Sequence, residues 1–333
     1  MRNDVEKKQK SNVDVMKFIL SIMVVCIHTG VTSLMPVEIG KLFNSIFNLA
    51  VPIFFVYSGY FFSCEDKLIK KDKLVKYSKH IAKLYILWSA IYLPICIQIY
   101  MESGWSIQEC LHNYSEGFFQ LGQHPYSWQL WYLWSLIFIC AILYIFELFK
   151  FGDKVEILLC FTMFLIFSIK STGSEVYTSR IMYGNCAGIG YFATGMLLRK
   201  INFKTKKLNT VITFFGAGTA FGVGTASTFL LTYYVVESHS ILWNIGRIVT
   251  VGCIAFLSLN IPMIKIKRRF SLWLRNASEW IYLTHLVFLY LFDKYVDLGN
   301  FETTCSIIFV EICLALLLYN SLSEKRGIFQ ILL

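Results

Sequence analysis

Runs of about twenty apolar residues, separated by short polar clusters, recur along this chain from Val13 to Leu322. They predict ten helices, at 13–35, 41–63, 81–101, 128–149, 154–169, 183–199, 208–231, 241–261, 277–293 and 304–322. The fifth, sixth and ninth are short, and charged clusters rather than length mark their ends. Backbone polar groups in hydrocarbon must be satisfied within the chain, so such a pattern predicts an all-α polytopic transmembrane helix bundle. The tails are short and the longest intervening stretch runs from Glu102 to Ser127, which predicts one domain over 1–333 without a soluble appendage. The two halves show neither a repeat nor a matched pair of interrupted helices. The first apolar run is too long for a cleavable signal and has no small-residue cleavage site.

Composition sharpens this picture. The chain has 333 residues, 56% hydrophobic and 17% aromatic, with a mean hydropathy of +0.57, which excludes a water-soluble globule. A net charge of +10 would suit a nucleic-acid partner if it were clustered on one surface. Instead, most of the 31 lysines and arginines fall in alternate loops: the N-terminal tail, 64–83, 150–154, 199–207, 263–276 and the C-terminal tail. The positive-inside rule then places both termini in the cytoplasm of a multi-pass protein in the cell inner or plasma membrane. The basic surface is a topology signal, with lipid rather than nucleic acid as its neighbour.

The 10 cysteines lie mostly inside apolar runs, and no Cys/His cluster has metal-ligand spacing, so no metal is expected. Gly216, Gly218, Gly222 and Gly224 in the seventh helix lack a preceding strand and read as close-packing positions rather than a phosphate loop. Of two Asn-x-Ser sequons, Asn113 falls in an outer segment and Asn276 in an inner loop, so only the first is accessible to glycosylation in a secretory-pathway host.

The candidate chemistry begins in the first helix. Lys17 and His28 are eleven residues apart, so at about 100° per residue they share one face and stand about 16 Å apart along the axis. An ionisable side chain at membrane depth costs on the order of 2.5 kcal/mol or more, which marks a functional site by default. The first helix runs outward, with Asp14 and Lys17 at its cytoplasmic end and His28 in the outer half. The ninth helix carries Glu279 and a second intramembrane histidine, His285. Lys76, Lys79 and Lys83 share a face at the start of the third helix, suited either to phosphates or to lipid headgroups. Around the start of the fourth, Trp128, Trp131, Tyr132 and Trp134 suit an interfacial belt or a sugar-stacking platform. Trp105, Phe118, Phe119 and Tyr126 in the outer segment carry the same two readings.

In order along the chain stand Asp14-x-x-Lys17-x₁₀-His28, Pro52-x-Phe54-Phe55-x-x-Ser58-Gly59-Tyr60, Leu130-Trp131-Tyr132-Leu133, Gly190-Tyr191-Phe192-x-x-Gly195 and Ile281-Tyr282-Leu283-x-His285. This ordered set resembles the acyltransferase-3 family, integral membrane enzymes that O-acylate bacterial cell-surface glycans and lipid-linked saccharides. The resemblance spans the chain from the first helix to the ninth. It departs where Lys17 stands in place of the more frequent arginine, keeping the charge but losing the bidentate fork. It departs again in the lysine-rich start of the third helix, and around Arg180 and Asn185 the match is loose.

What the resemblance implies is transfer of an acyl group, acetyl above all, from cytoplasmic acyl-CoA to a saccharide hydroxyl at the outer face. Acyl-CoA is then a co-substrate, and no bound cofactor is expected. Lys17, Lys79 and Lys83 would hold the nucleotide phosphates, Ser58 or Tyr60 would bond the pantetheine arm, and Trp131, Tyr132 and Arg180 would face the acceptor. His28 would act as general base or as acyl-carrying nucleophile, and His285 would orient the acceptor or stabilise the oxyanion. The rival readings are a transporter or flippase of a small polar solute or lipid-linked sugar, and a non-catalytic scaffold. The missing repeat symmetry weighs against the first, and the intramembrane ionisable residues weigh against the second.

Overall fold

The computed structural model describes residues 2–64, 69–171, 188–201, 241–260, 266–296 and 298–324 together with Leu332, and every regular element among them is helical. In chain order these are α1 (Arg2–His28), α2 (Val37–Phe47), α3 (Ala50–Phe62), α4 (Lys71–Glu102), α5 (Ile107–Glu116), α6 (Trp131–Leu148), α7 (Asp153–Ser171), α8 (188–201), α9 (Ile241–Asn260), α10 (Arg268–Tyr295), α11 (Asn300–Leu317) and α12 (Tyr319–Glu324). Among the described residues five segments are long and apolar enough to cross a membrane: Ser11–His28, Val37–Phe62, Lys71–Glu102, Trp128–Leu148 and Asn300–Leu317. The chain is a multi-pass membrane protein. The glycines of the expected seventh helix, Arg180 and Asn185 lie outside the described residues.

Several helix ends differ from the apolar pattern, each for a local reason. α1 stops at His28 rather than 35, because Gly30 takes a left-handed φ of 65° and the chain passes into a short 3₁₀ turn at Val31–Leu34. The expected helix at 41–63 is two, α2 and α3. The Asn48 side-chain amide donates to Asn44 O at 2.7 Å beside its own backbone N–H at 3.0 Å, closing the last turn of α2. The ninth helix begins at Arg268, nine residues earlier than the apolar run, so the basic segment expected as loop is partly helical. The sequon Asn276 therefore sits buried in α10, donating to Leu322 O.

The chain divides into two compact units, one formed by Met1–Ala50, Lys83–Leu133 and Pro262–Leu333, the other by Val51–Ala82 and Trp134–Ile261. In the first, α1 packs along α10. Ser271 donates to Asp14 Oδ2 at 2.5 Å across a separation of 257 residues, and the same separation joins His28 to His285. A constant offset over fourteen residues means two parallel helices held in register, with matching positions recurring every two heptads. Between these ends Ser278 donates to Lys17 O at 2.8 Å and Phe18 meets the Trp273 ring at 5.8 Å. The parallel direction agrees with the ten-helix reading, in which the first and ninth helices run the same way.

The stretch Glu102–Ser127 is folded rather than a plain loop. A capping box at Ser106 and Glu109 starts α5, and the Ser106 hydrogen bonds hold the Glu109 carboxyl below its ordinary range. A π-helical turn follows at Gly117–Leu121. His124 then stacks on Tyr114 with ring centroids 4.2 Å apart and planes within 2°. Gly117 has to be glycine, since a Cβ there would lie 2.5 Å from the His124 ring. His124 is 4% exposed, and neither ring nitrogen has a hydrogen-bond partner among the described residues. This plug aims the following 3₁₀ turn, Trp128–Leu130, into α6.

In the second unit α3 and α8 approach backbone to backbone. A Cβ at Gly59 would lie 2.0 Å from Phe192 O, and one at Gly195 would lie 2.0 Å from Val56 O. Small residues at a membrane helix interface permit this contact, so these motif glycines serve packing. Gly195→Ala should destabilise the detergent-solubilised protein by about 1–3 kcal/mol, the usual cost of overpacking. Gly152→Ala, whose Cβ would meet nothing within 4 Å, should leave the melting temperature unchanged.

Burial pushes the His124 imidazole down to about 4. A free histidine titrates near 6.5, so between these values the opened segment binds more protons than the folded one. Stability of the 107–127 segment should therefore fall as pH drops from about 6.5 to about 4, by roughly 3 kcal/mol in all. Amide hydrogen exchange across 107–127 should accelerate over that window, and His124→Phe, which keeps the stacked ring, should lose the pH dependence.

Candidate functional site

His28 closes the last turn of α1, and its ring lies 5.3 Å from that of His285 on α10 and 5.8 Å from that of Trp128, near parallel to the indole at 24°. His285 is 1% exposed and its Nδ1 is 3.0 Å from Ile281 O. A carbonyl can only accept, so Nδ1 carries the hydrogen and the neutral ring presents a lone pair at Nε2. That Nε2 is buried without a hydrogen-bond partner among the described residues. In this tautomer His285 offers an acceptor, so the oxyanion-stabilising role expected for it would require the protonated ring. Orienting a hydroxyl requires no such change.

Hydrogen bonds within the first unit hold this pair in place. Tyr92 and Gln129 both donate to Leu283 O, at 2.7 and 3.1 Å, and the Tyr282 hydroxyl donates to Gln129 O at 2.9 Å. Gln129 thus ties the Trp128 turn to α10, fixing the indole that stacks on His28. Tyr132 meets Tyr282 edge-on at 5.7 Å. Trp131 is half-buried at the start of α6. At the far end of the seam, Lys17 lies within electrostatic reach of Asp14, as do Arg275 and Glu279.

The remaining expected residues are carried by α3 and α4. Lys83 is exposed on α4 in the first unit, and Lys79 is exposed on the same helix in the second. Ser58 and Tyr60 belong to α3 in the second unit, where the Arg199 guanidinium lies 5.2 Å from the Tyr60 ring centroid.

Two residues of this neighbourhood escaped the sequence reading. Glu311 on α11 is fully buried; Thr284, next to His285 in the chain, donates to its Oε1 at 2.6 Å. The available signal was a lone carboxylate inside the last apolar run, the same argument that singled out Lys17. Arg275 belongs by its sequence to the basic 263–276 loop, and the backward extension of α10 brings it onto the seam.

An acyltransferase domain model, that of the acyltransferase-3 family, matches residues 10–320. No curated protein and no solved structure matches the chain. The matched span takes in both histidines, Lys17, Glu311 and the glycine contacts of α3 and α8, and the chain belongs to the acyltransferase-3 family of membrane acyltransferases.

Proposed function

We propose that this membrane acyltransferase moves an acetyl group from cytoplasmic acetyl-CoA to a hydroxyl of an extracytoplasmic or lipid-linked saccharide, with both termini in the cytoplasm of the inner or plasma membrane. The observation that carries the reading is the seam of α1 and α10. It has a charged end, with Lys17 and Arg275, and a reactive end, with His28 against His285 and Trp128. Eleven residues of unbroken α1 separate Lys17 from His28, about 16 Å of rise, which is comparable with the reach of a pantetheine arm. Phosphates held at the first end would leave the thioester near the second.

In this reading His28 is the general base. It takes the proton of the acceptor hydroxyl as the oxygen attacks the thioester carbonyl; the C–O bond forms, the C–S bond breaks, and the proton passes to the departing thiolate. The products are the O-acetyl ester and free CoA. The lone pair at His285 Nε2 accepts from a second hydroxyl of the acceptor and so orients the one that reacts. Glu311 and Thr284 position the turn that holds His285, while Lys83, exposed on α4 in the same unit, draws the nucleotide toward the membrane. No acyl group resides on the protein at any stage.

His28→Ala should lower acyl transfer by about 10²–10⁴-fold, the usual contribution of a general base, with membrane insertion unchanged. Transfer at the wild-type rate would remove His28 from the mechanism. Incubation with labelled acetyl-CoA alone should leave the protein unlabelled, and a label on His28 would favour the acyl-carrier route. Lys17→Ala should raise the apparent KM for acetyl-CoA about ten-fold, worth about 1.4 kcal/mol, with little change in the acceptor KM. Equal rises in both would argue against phosphate binding there.

A further inference from the structure

The aromatic residues of the 102–128 segment divide by what their rings touch. Trp105 stacks on Tyr100 at 4.9 Å, and Phe118 packs against Tyr85 at 5.0 Å, so both serve the fold of their own segment. Tyr126 and Trp128 behave differently. Their rings are 5.5 Å apart and inclined by 25°, and the stack continues from Trp128 onto His28. Trp128 nevertheless keeps 37% of its surface exposed. This pair forms a stepped aromatic surface that ends at the reactive imidazole.

Tyr126 is also held there against its backbone preference. Its φ is +53°, a left-handed conformation that a bulky side chain rarely adopts. Such strain persists only where the surroundings over-determine it, and it concentrates at binding sites. Two contacts do the fixing: the Tyr126 hydroxyl donates to Asp293 Oδ2 at 2.8 Å, and Tyr290 meets the ring edge-on at 5.2 Å. Tyr290 is itself anchored by donating to Gln98 Oε1 at 2.7 Å. The outcome is a fixed aromatic face beside a surface carboxylate, one step from His28.

We propose that Tyr126, Trp128 and Asp293 form the subsite that receives the acceptor as a pyranose ring and delivers one of its hydroxyls to His28. The inference rests on the saccharide-acceptor reading above. The two faces of a sugar suit the site: the C–H face lies against the aromatic pair, and ring hydroxyls donate to the Asp293 carboxylate. A lipid-facing belt would need neither the carboxylate nor the continuation of the stack onto a histidine. In this proposal the principal acceptor contacts are Tyr126, Trp128 and Asp293, because the ring stack runs from the first two onto His28.

The test uses the full-length protein in proteoliposomes with radiolabelled acetyl-CoA, and, as acceptor, surface glycan extracted from cells lacking the gene. Wild-type protein should form alkali-labile acetyl ester on that glycan. Tyr126→Asn removes the ring but tolerates the left-handed φ, so it should fold; it should raise the glycan KM at least ten-fold, with the acetyl-CoA KM within two-fold of wild type. Tyr126→Phe, which keeps the stack and loses the Asp293 bond, should restore most of the loss, and Asp293→Asn should raise the glycan KM about three-fold. A glycan KM unchanged in Tyr126→Asn, or donor and acceptor KM rising together, would overturn the subsite while leaving the saccharide reading intact. Absence of glycan ester with the wild-type protein would instead overturn that reading, and the subsite with it.

Discussion

The register of α1 against α10 is the constraint on which the first unit depends. Between them the helices bury a carboxylate, hydroxyls and an imidazole, and each such group is costly unless another protein group answers it. A constant offset of 257 residues lets Ser271 answer Asp14 at one end while His285 faces His28 at the other. Sliding either helix by one residue would turn these groups by about 100°, so the bonds of Ser271 to Asp14 and of Ser278 to Lys17 O specify the register. Apolar side chains alone, interchangeable in such a seam, would not.

The same seam explains why the reactive end is rigid. His285 is fixed by its bond to Ile281 O, and the neighbouring Leu283 carbonyl takes bonds from both Tyr92 and Gln129. Gln129 belongs to the turn that carries Trp128, so α10, the turn and the His28 ring are positioned by one network. The buried His124 plug, seated against Tyr114 and Gly117, sets the direction from which that turn arrives. Thus a segment with no place in a simple helix count determines what stands beside the histidine.

Motif residues divide between packing and chemistry. Gly59 and Gly195 allow two backbones to touch, and a side chain at either would force α3 and α8 apart. His28 and His285 do the reverse, bringing reactive groups to a place where packing alone would favour leucine. A family signature read in one dimension mixes the two kinds, and only the contacts separate them.

The apolar runs and the lysine distribution sufficed to establish an all-α membrane bundle, because hydrophobic periodicity and charge bias are local properties of each segment. The stripe joining Lys17 to His28 was legible for the same reason: both residues lie on one helix, whose geometry is known in advance. His285 was legible as an imidazole inside an apolar run, though its tautomer was not. Tertiary structure alone decided that His285 meets His28, that Glu311 and Arg275 join the neighbourhood, that the second helix breaks at Asn48, and that Tyr126 adjoins the indole on His28. Those facts depend on which distant segments pack together and in what register, and that is settled by the shared need of buried polar groups for partners, not by the properties of any one segment.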